Sequence, residues 1–123
     1  MTAITAKDAP AAIGPYSQAV IAGGFVFISG QIALAPQTGL LVTGGVREQT
    51  RQVISNLKEV LAAAGCDIKS VIKTTCFLTD MENFAAFNEV YAEHFTQNPA
   101  RSCVAVRALP KGALVEIEAV AEL

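Results

Sequence analysis

The sequence predicts an α+β fold, a two-layer sandwich in which two helices cover one face of a mixed β-sheet. Runs of alternating or β-branched residues surround two amphipathic helical patterns, in the order strand, strand, helix, strand, helix, strand, strand. Two helices on one face of such a sheet form two packed layers. No repeat or linker divides the 123 residues, so we expect one domain over residues 1–123.

The N-terminal part predicts a β-hairpin. After a short strand and a loop rich in turn residues, Ala19–Ala22 and Phe25–Ser29 form two apolar runs separated by Gly23-Gly24, which is typical of a two-residue turn. Small and polar residues follow at Ser29-Gly30-Gln31 and would leave backbone N–H groups accessible. This segment is therefore either a ligand-binding rim or simply the end of a strand.

The first helix is predicted over Val46–Ala64 and is closed by Gly65. Its apolar residues recur with helical spacing, which indicates that one face packs against the sheet. The residues of this stripe are Val46, Thr50, Val53, Ile54, Leu57, Val60 and Leu61.

A strand over Val71–Leu78 precedes the second helix. The spacing of Thr79-Asp80-Met81-Glu82 is that of a capping box, and we expect the helix to run to about Phe95. Asn88 lies on or beside the apolar stripe formed by Phe84, Tyr91 and Phe95, where its amide needs hydrogen-bond partners. Those partners are either backbone groups or a ligand.

The C-terminal stretch contains two alternating runs on either side of Leu109-Pro110-Lys111-Gly112, which predicts an antiparallel hairpin. Pairing these runs would put Arg101 and Cys103 beside Glu116 and Glu118 on the face that the helices leave open. An exposed cross-strand Arg–Glu pair contributes only about 0.2–1 kcal/mol. If another subunit covers the face instead, these charges are partly desolvated and need a partner or a ligand.

Composition favours burial of part of the surface in an oligomer. Hydrophobic residues make up 52% of the chain and charged residues 16%, below the average charged share of about 25%. The net charge of −2 gives no electrostatic signature of nucleic-acid binding.

Cysteine and histidine usage excludes several kinds of site. Cys66, Cys76 and Cys103 are odd in number and form no CxxC pair, so we expect no disulfide framework and a reducing, cytoplasmic location. The single histidine, His94, rules out most histidine-based metal sites and argues against a Ser-His-Asp triad. No signal peptide is evident, and Ala19–Ile28 is too short to span a membrane.

Motifs along most of the chain resemble those of the RidA/YjgF family. The resemblance is carried by Pro99–Val104, Leu109-Pro110 and Val115–Ala119, together with Ala9–Tyr16, Ser29–Gln31, Val71–Thr75 and Phe84–Asn88. It implies a chorismate-mutase-like fold, assembled as a homotrimer with clefts between subunits. It also implies hydrolysis of reactive enamines and imines, such as 2-iminobutanoate and 2-iminopropanoate, to 2-oxo acids and ammonia, with no cofactor and no metal.

The resemblance also implies roles for individual residues. Arg101 would grip the substrate carboxylate with its planar guanidinium. Glu116 would orient and activate the attacking water, and the backbone carbonyl of Cys103 would help to hold that water. The remaining residues that would line the cleft are Tyr16, which would shield the imine, and Ser29, Gly30 and Asn88.

The chain departs from the family pattern in one loop, and two other functions stay open. The loop over residues 96–98 is shorter than usual in the family, and Asn98 stands where an aromatic residue is common, so the preferred substrate size is uncertain. A second hypothesis is a non-catalytic sensor or binder of 2-oxo acids or other small carboxylates, which would use the same cleft between subunits. RNA cleavage or translation inhibition is a third hypothesis, disfavoured by the acidic balance and the lone histidine.

Overall fold

The computed structural model describes residues 1–123 as a six-stranded mixed sheet with two α-helices. The strand order is β1-β2-β3-β6-β4-β5. The strands are β1 (Thr2–Ile4), β2 (Ala19–Ala22), β3 (Phe25–Gln31), β4 (Val71–Leu78), β5 (Ala100–Ala105) and β6 (Val115–Glu122). The helices are α1 (Val46–Ala63) and α2 (Phe84–His94), and short 3-10 turns lie at Ile68–Ser70, Met81–Asn83 and Pro110–Gly112.

Both helices pack on the same face of the sheet, which confirms the predicted two-layer α+β fold. A continuous core of 24 buried side chains lies between the two layers. All seven residues of the predicted apolar stripe of α1 are buried, and all of them except Thr50 belong to this core. No helix is both long enough and apolar enough to cross a membrane.

Two amides of α1 that the sequence did not single out are also buried. Asn56 Nδ2 donates to the carbonyl oxygens of Ile32 and Leu34, at 3.2 and 3.0 Å. Gln49 Oε1 accepts a 2.9 Å hydrogen bond from the N–H of Leu114. These bonds satisfy partly buried backbone groups of the loops after β3 and before β6, and so they hold both loops against α1.

The hairpin of β2 and β3 forms as predicted, with Gly23 and Gly24 at φ 59° and 82° in the turn. β3 extends two residues beyond the expected Ser29, to Gln31. The pairing of β3 with β6 is irregular between Ile28 and Gln31, so Ser29 and Gly30 lie in a bulge.

The second helix begins later than the sequence predicts. Asp80, not Thr79, caps this region, because its Oδ1 accepts a 2.9 Å hydrogen bond from the N–H of Glu82. The turn that follows is a 3-10 helix, and α2 itself ends at His94. The N–H of Thr79 donates instead to the carbonyl of Leu114 at 3.2 Å, which ties the end of β4 to the start of β6.

The predicted C-terminal hairpin is wrong. β5 pairs in parallel with β4, β6 pairs antiparallel with β4, and β4 therefore lies between them. The nine residues 106–114 form a crossover that contains a 3-10 turn, with Lys111 at a φ of 58°. A connection of this length need not join adjacent strands, whereas a two-residue turn must.

Gln18 fixes the N-terminal segment against the sheet, and its loss should destabilise the fold. Its side chain is 4% exposed, accepts from the N–H of Ala6 at 2.6 Å and donates to the carbonyls of Ala6 and Pro10. We expect Gln18→Ala to lower the free energy of unfolding by about 1–3 kcal/mol, because buried backbone groups lose their partners. Urea denaturation measures this change, and the exposed Gln37→Ala is the matched control. Equal midpoints for the two variants would contradict this role.

Candidate active site

The pairing of the strands separates the two charged residues that the sequence placed together. Arg101 is the register partner of Thr74 on β4, whereas Glu116 is the partner of Phe77. Because register partners share a face and successive residues alternate, Arg101 lies on the helix side of the sheet and Glu116 on the open side. The prediction that one uncovered face carries both residues is therefore wrong for a single chain.

Arg101 is held by neutral groups. Its Nη1 donates a 2.7 Å hydrogen bond to Asn88 Oδ1 on α2. The guanidinium carbon lies 4.7 Å from the ring centroid of Tyr91 and 5.5 Å from that of Phe84. The two ion pairs of the chain lie elsewhere, on the helices, so no carboxylate neutralises Arg101. The guanidinium is thus oriented but keeps its positive charge available.

A groove of about 410 Å³ opens beside this guanidinium. Asn88, Tyr91 and Arg101 line it together with Asn98 of the short loop and Pro99, which follows this loop. Asn98 adopts a φ of 54°, a left-handed conformation that asparagine tolerates better than most residues. The loop that departs from the family pattern therefore forms one wall of the arginine groove.

Glu116 lies against the bulge of β3. A Cβ atom built on Gly30 would come within 2.8 Å of both the carboxyl carbon and Oε1 of Glu116, so any side chain at position 30 would displace this carboxylate. Burial raises the pKa of Glu116, and the neighbouring charge of Glu118 raises it further. The carboxyl group therefore holds a proton more readily than an exposed glutamate does.

A second groove, of about 550 Å³, contains Glu116, Gly30 and Tyr16. Tyr16 is half-exposed at its edge, and Lys111 from the crossover lies at the rim. Ser29 does not line this groove, because its Oγ donates to the carbonyl of Ser17 at 2.6 Å and so holds the segment that carries Tyr16. Direct contact between Ser29 and a substrate stays a prediction.

Cys103 lies on the helix side of β5, opposite Cys76 on β4. Burial raises the pKa of the Cys103 thiol, and the charge of Arg101 opposes this shift only in part. A protonated thiol with no base beside it is a poor nucleophile. The three cysteines are free thiols.

The histidine, cysteine and acidic side chains form no metal-binding cluster. No group of three or more His, Cys, Asp or Glu side chains is arranged to hold a metal ion. Lys58 Nζ donates to His94 Nδ1 at 3.0 Å, and neither side chain lines either groove. Burial and the charge of Lys58 lower the pKa of His94, which favours the neutral ring.

Sequence reasoning missed two residues of this region. Tyr91 was assigned to the core, although its ring also supports Arg101. Its position three residues after Asn88 is the signal that could have found it, since such residues share a helix face. No sequence pattern could have identified Lys111, because the path of the crossover places it at the rim of the groove that contains Glu116.

Comparison with known proteins identifies the family of this chain. A family model described as Endoribonuclease L-PSP, the RidA/YjgF family, matches residues 6–123. The chain belongs to this family.

Several members of the RidA/YjgF family are close to this chain in sequence. A RutC family protein of Pyrococcus horikoshii is 54% identical over 119 residues, which cover 96% of this chain and 94% of the relative. The human 2-iminobutanoate/2-iminopropanoate deaminase is 51% identical over 119 residues, which cover 96% of this chain and 87% of the relative.

Solved structures of the RidA/YjgF family share the fold over its whole extent. The structure of Escherichia coli TdcF with bound serine has a TM-score of 0.95 at 44% identity, covering 100% of this chain and 99% of that one. RidA from an Antarctic Psychrobacter has a TM-score of 0.96 at 43% identity and covers 100% of both chains.

Filling the space above Gly30 should move the carboxyl group of Glu116. In Gly30→Ala the added methyl would force this flexible side chain outward, so we expect the pKa of Glu116 to fall towards its ordinary value as burial is lost. A pH titration of the carboxyl carbon by ¹³C NMR measures this pKa. In the control, Gly45→Ala, the new Cβ meets only Glu48 Oε1 at 3.9 Å. An unchanged titration in Gly30→Ala would show that the contact does not hold Glu116.

Proposed function

We propose that this protein is a deaminase that hydrolyses 2-iminobutanoate and 2-iminopropanoate to 2-oxo acids and ammonia, in clefts between the subunits of a homotrimer. The observation that carries the proposal is the separation of Arg101 and Glu116 onto opposite faces of one sheet. Each residue lies in its own groove, with chemistry that suits one half of a small imino acid. The names of the mammalian relatives support this choice of substrate.

Arg101 binds the substrate carboxylate. Its Nη1 already donates to Asn88, which leaves Nε and Nη2 available on the remaining edge of the guanidinium. Two parallel N–H donors match the two oxygens of a carboxylate, and such charge-assisted pairs are about twice as strong as neutral ones. The substrate is therefore anchored at one end, with its C=N group directed away from Arg101.

Glu116 acts as the general base for water. Its pKa is raised, and so lies closer to neutral pH than that of an exposed glutamate. A general base works best when its pKa is near the pH at which the enzyme operates. Water adds to the imine carbon as Glu116 takes one of its protons, and the imine nitrogen gains a proton from solvent. Glu116 then returns its proton to the nitrogen of the carbinolamine, the C–N bond breaks and ammonia leaves. Loss of the hydroxyl proton to solvent forms the C=O of the 2-oxo acid. No redox change occurs, and water is the only co-reactant.

Other residues act as positioning and shielding groups in this scheme. Tyr16 covers the imine, Gly30 lines the cleft and makes room for Glu116, and the backbone carbonyl of Cys103 holds the water. Ser29 supports the Tyr16 segment through its hydrogen bond to Ser17. The reaction needs no metal and no cofactor, because the imine is already an electrophile.

The open face of the sheet supports assembly from several copies of the chain. Phe27 is 48% exposed and Val104 is 44% exposed on this face. Burying such apolar side chains between subunits is favourable at about 25 cal/mol per Å². Since the two halves of the cleft lie on opposite faces, one chain would contribute Arg101 and its neighbour Glu116.

Two other functions have some support. The serine bound to TdcF favours a carboxylate sensor that uses the same cleft without turnover. The family description as an endoribonuclease favours RNA cleavage. A chain with a net charge of −2 attracts no polyanion, and its one histidine lies hydrogen-bonded to Lys58, so we place RNA cleavage last.

Removing the guanidinium should abolish tight substrate binding. We expect Arg101→Ala to lower kcat/KM for 2-iminobutanoate about 10- to 150-fold, because a charge-assisted pair worth about 1.5–3 kcal/mol is lost. Arg101→Lys should fall between this variant and the wild type, since it keeps the charge but not the two-pronged donor. Release of 2-oxobutanoate in the presence of a threonine dehydratase measures the rate. Arg51→Ala, on the exposed side of α1, is the control, and an effect of equal size there would remove Arg101 from the mechanism.

Mixing two inactive variants tests whether neighbouring chains share a cleft. We expect Glu116→Gln to lower kcat about 10²- to 10⁴-fold through loss of the base. When Arg101→Ala and Glu116→Gln chains are co-refolded in equal amounts, about one cleft in four receives both native residues, so about a quarter of the activity should return.

A control mixture tests whether the regained activity requires one native Arg101 and one native Glu116 in the same cleft. Arg101→Ala chains mixed with the double variant Arg101→Ala/Glu116→Gln contain no guanidinium at position 101 and should stay inactive. Failure of the first mixture to regain activity would show that the two residues do not combine across chains. If the wild type binds 2-oxobutanoate but releases none from the imine, the sensor function is favoured.

A further inference from the structure

We propose that Tyr91 is a positioning residue whose aromatic face holds the Arg101 guanidinium in the plane in which it receives a carboxylate. This inference rests on the proposed function, which assigns carboxylate binding to Arg101. It gives Tyr91 a role beyond core packing, one that acts on substrate affinity and not on the bond-breaking step.

The geometry around Arg101 defines both its position and its plane. The Tyr91 ring centroid lies 4.7 Å from the guanidinium carbon, closer than the Phe84 centroid at 5.5 Å. Both distances lie within the range of about 6 Å over which a cation is attracted to a ring face. The hydrogen bond to Asn88 Oδ1 at 2.7 Å fixes the guanidinium edgewise. The contact with the ring opposes tilting of the guanidinium plane, and the hydrogen bond at its edge opposes rotation within that plane.

Tyr91 is itself fixed by the core. Its side chain is 6% exposed, and its hydroxyl shares a buried 2.7 Å hydrogen bond with Thr74 Oγ1. Thr74 is the register partner of Arg101 on the neighbouring strand. The Tyr91 ring also stacks on Phe95, with centroids 4.3 Å apart and planes inclined by 24°. An exposed arginine is thereby supported by a ring that the core holds in place.

This arrangement should lower the entropic cost of binding a substrate. A free arginine side chain loses rotamer freedom when it grips a carboxylate, whereas a pre-oriented one has lost that freedom already. Tyr91 touches no reacting atom in the proposed mechanism. Weakening its attraction for the guanidinium should therefore raise KM and leave kcat nearly unchanged.

A series of isosteric side chains tests the role of the ring face without opening a cavity. We would compare Tyr91→Phe with phenylalanine analogues at position 91 that carry one, two or three ring fluorines. Fluorine withdraws electron density and weakens the attraction of a cation for the ring, while the shape changes little. We expect Tyr91→Phe to keep KM for 2-iminobutanoate within about twofold of the wild type, and the trifluorinated variant to raise KM about tenfold.

The same series at Phe87 is the matched control. Phe87 is fully buried in α2 and its centroid lies 5.6 Å from that of Tyr91, but it makes no contact of this kind with Arg101. Fluorination there should leave KM unchanged. A stepwise rise of KM at position 91 with a flat series at position 87 supports the proposal. A flat series at position 91, or a fall in kcat at constant KM, overturns it.

A second measurement separates this inference from the proposed function. The NMR signal of Arg101 Nε–H, assigned by its loss in Arg101→Lys, reports how fast the guanidinium rotates. We expect rotation to become faster along the fluorinated series. If the protein hydrolyses no imine but rotation still quickens, the deaminase proposal fails and the role of Tyr91 stands. If the imine is hydrolysed while rotation and KM are both constant, the role of Tyr91 is overturned and the deaminase stands.

Discussion

The site depends on one constraint, the insertion of β4 between β5 and β6. Each neighbour of β4 is in fixed register with it, and side chains alternate across a sheet, so Arg101 must face the helices while Glu116 faces away from them. No side-chain rotation can bring these two groups together around the intervening strand. In the proposed mechanism, which needs both charges, the guanidinium therefore comes from one chain and the carboxylate from a second copy.

Neither Arg101 nor Glu116 has an ion-pair partner within the chain. Arg101 rests on an amide and aromatic rings, with no anion beside it, and Glu116 is partly desolvated next to Glu118. The raised pKa of Glu116 means that the folded chain binds a proton more readily than the unfolded chain. Its contribution therefore makes the fold less stable as the pH rises through the titration range of Glu116, and has no such effect at lower pH. A substrate carboxylate and an attacking water would use the charges that the fold leaves unpaired.

The sequence predicted the helices and the first hairpin well because their signals are local. The stripe of α1 repeats every three to four residues, and Gly23-Gly24 specifies a tight turn, so neither depends on distant parts of the chain. The pairing of β5 was not predictable in the same way. Its alternation is equally compatible with a parallel or an antiparallel neighbour, and the crossover that selects β4 is decided by non-local contacts. The two roles of Tyr91 were hidden because a core aromatic and a support for an arginine have the same helical spacing.

Assembly and catalysis are linked in the proposed scheme by the dielectric of the cleft. An exposed guanidinium attracts a carboxylate 4 Å away by only about 1 kcal/mol in bulk water, against about 4 kcal/mol near a protein surface. A neighbouring chain that covers Arg101 strengthens this attraction and also brings its own Glu116 to the substrate. A folded but isolated chain would then lack both tight binding and a base, although every residue of the site is present. The stability of the trimer, more than that of the fold, would set the activity at low protein concentration.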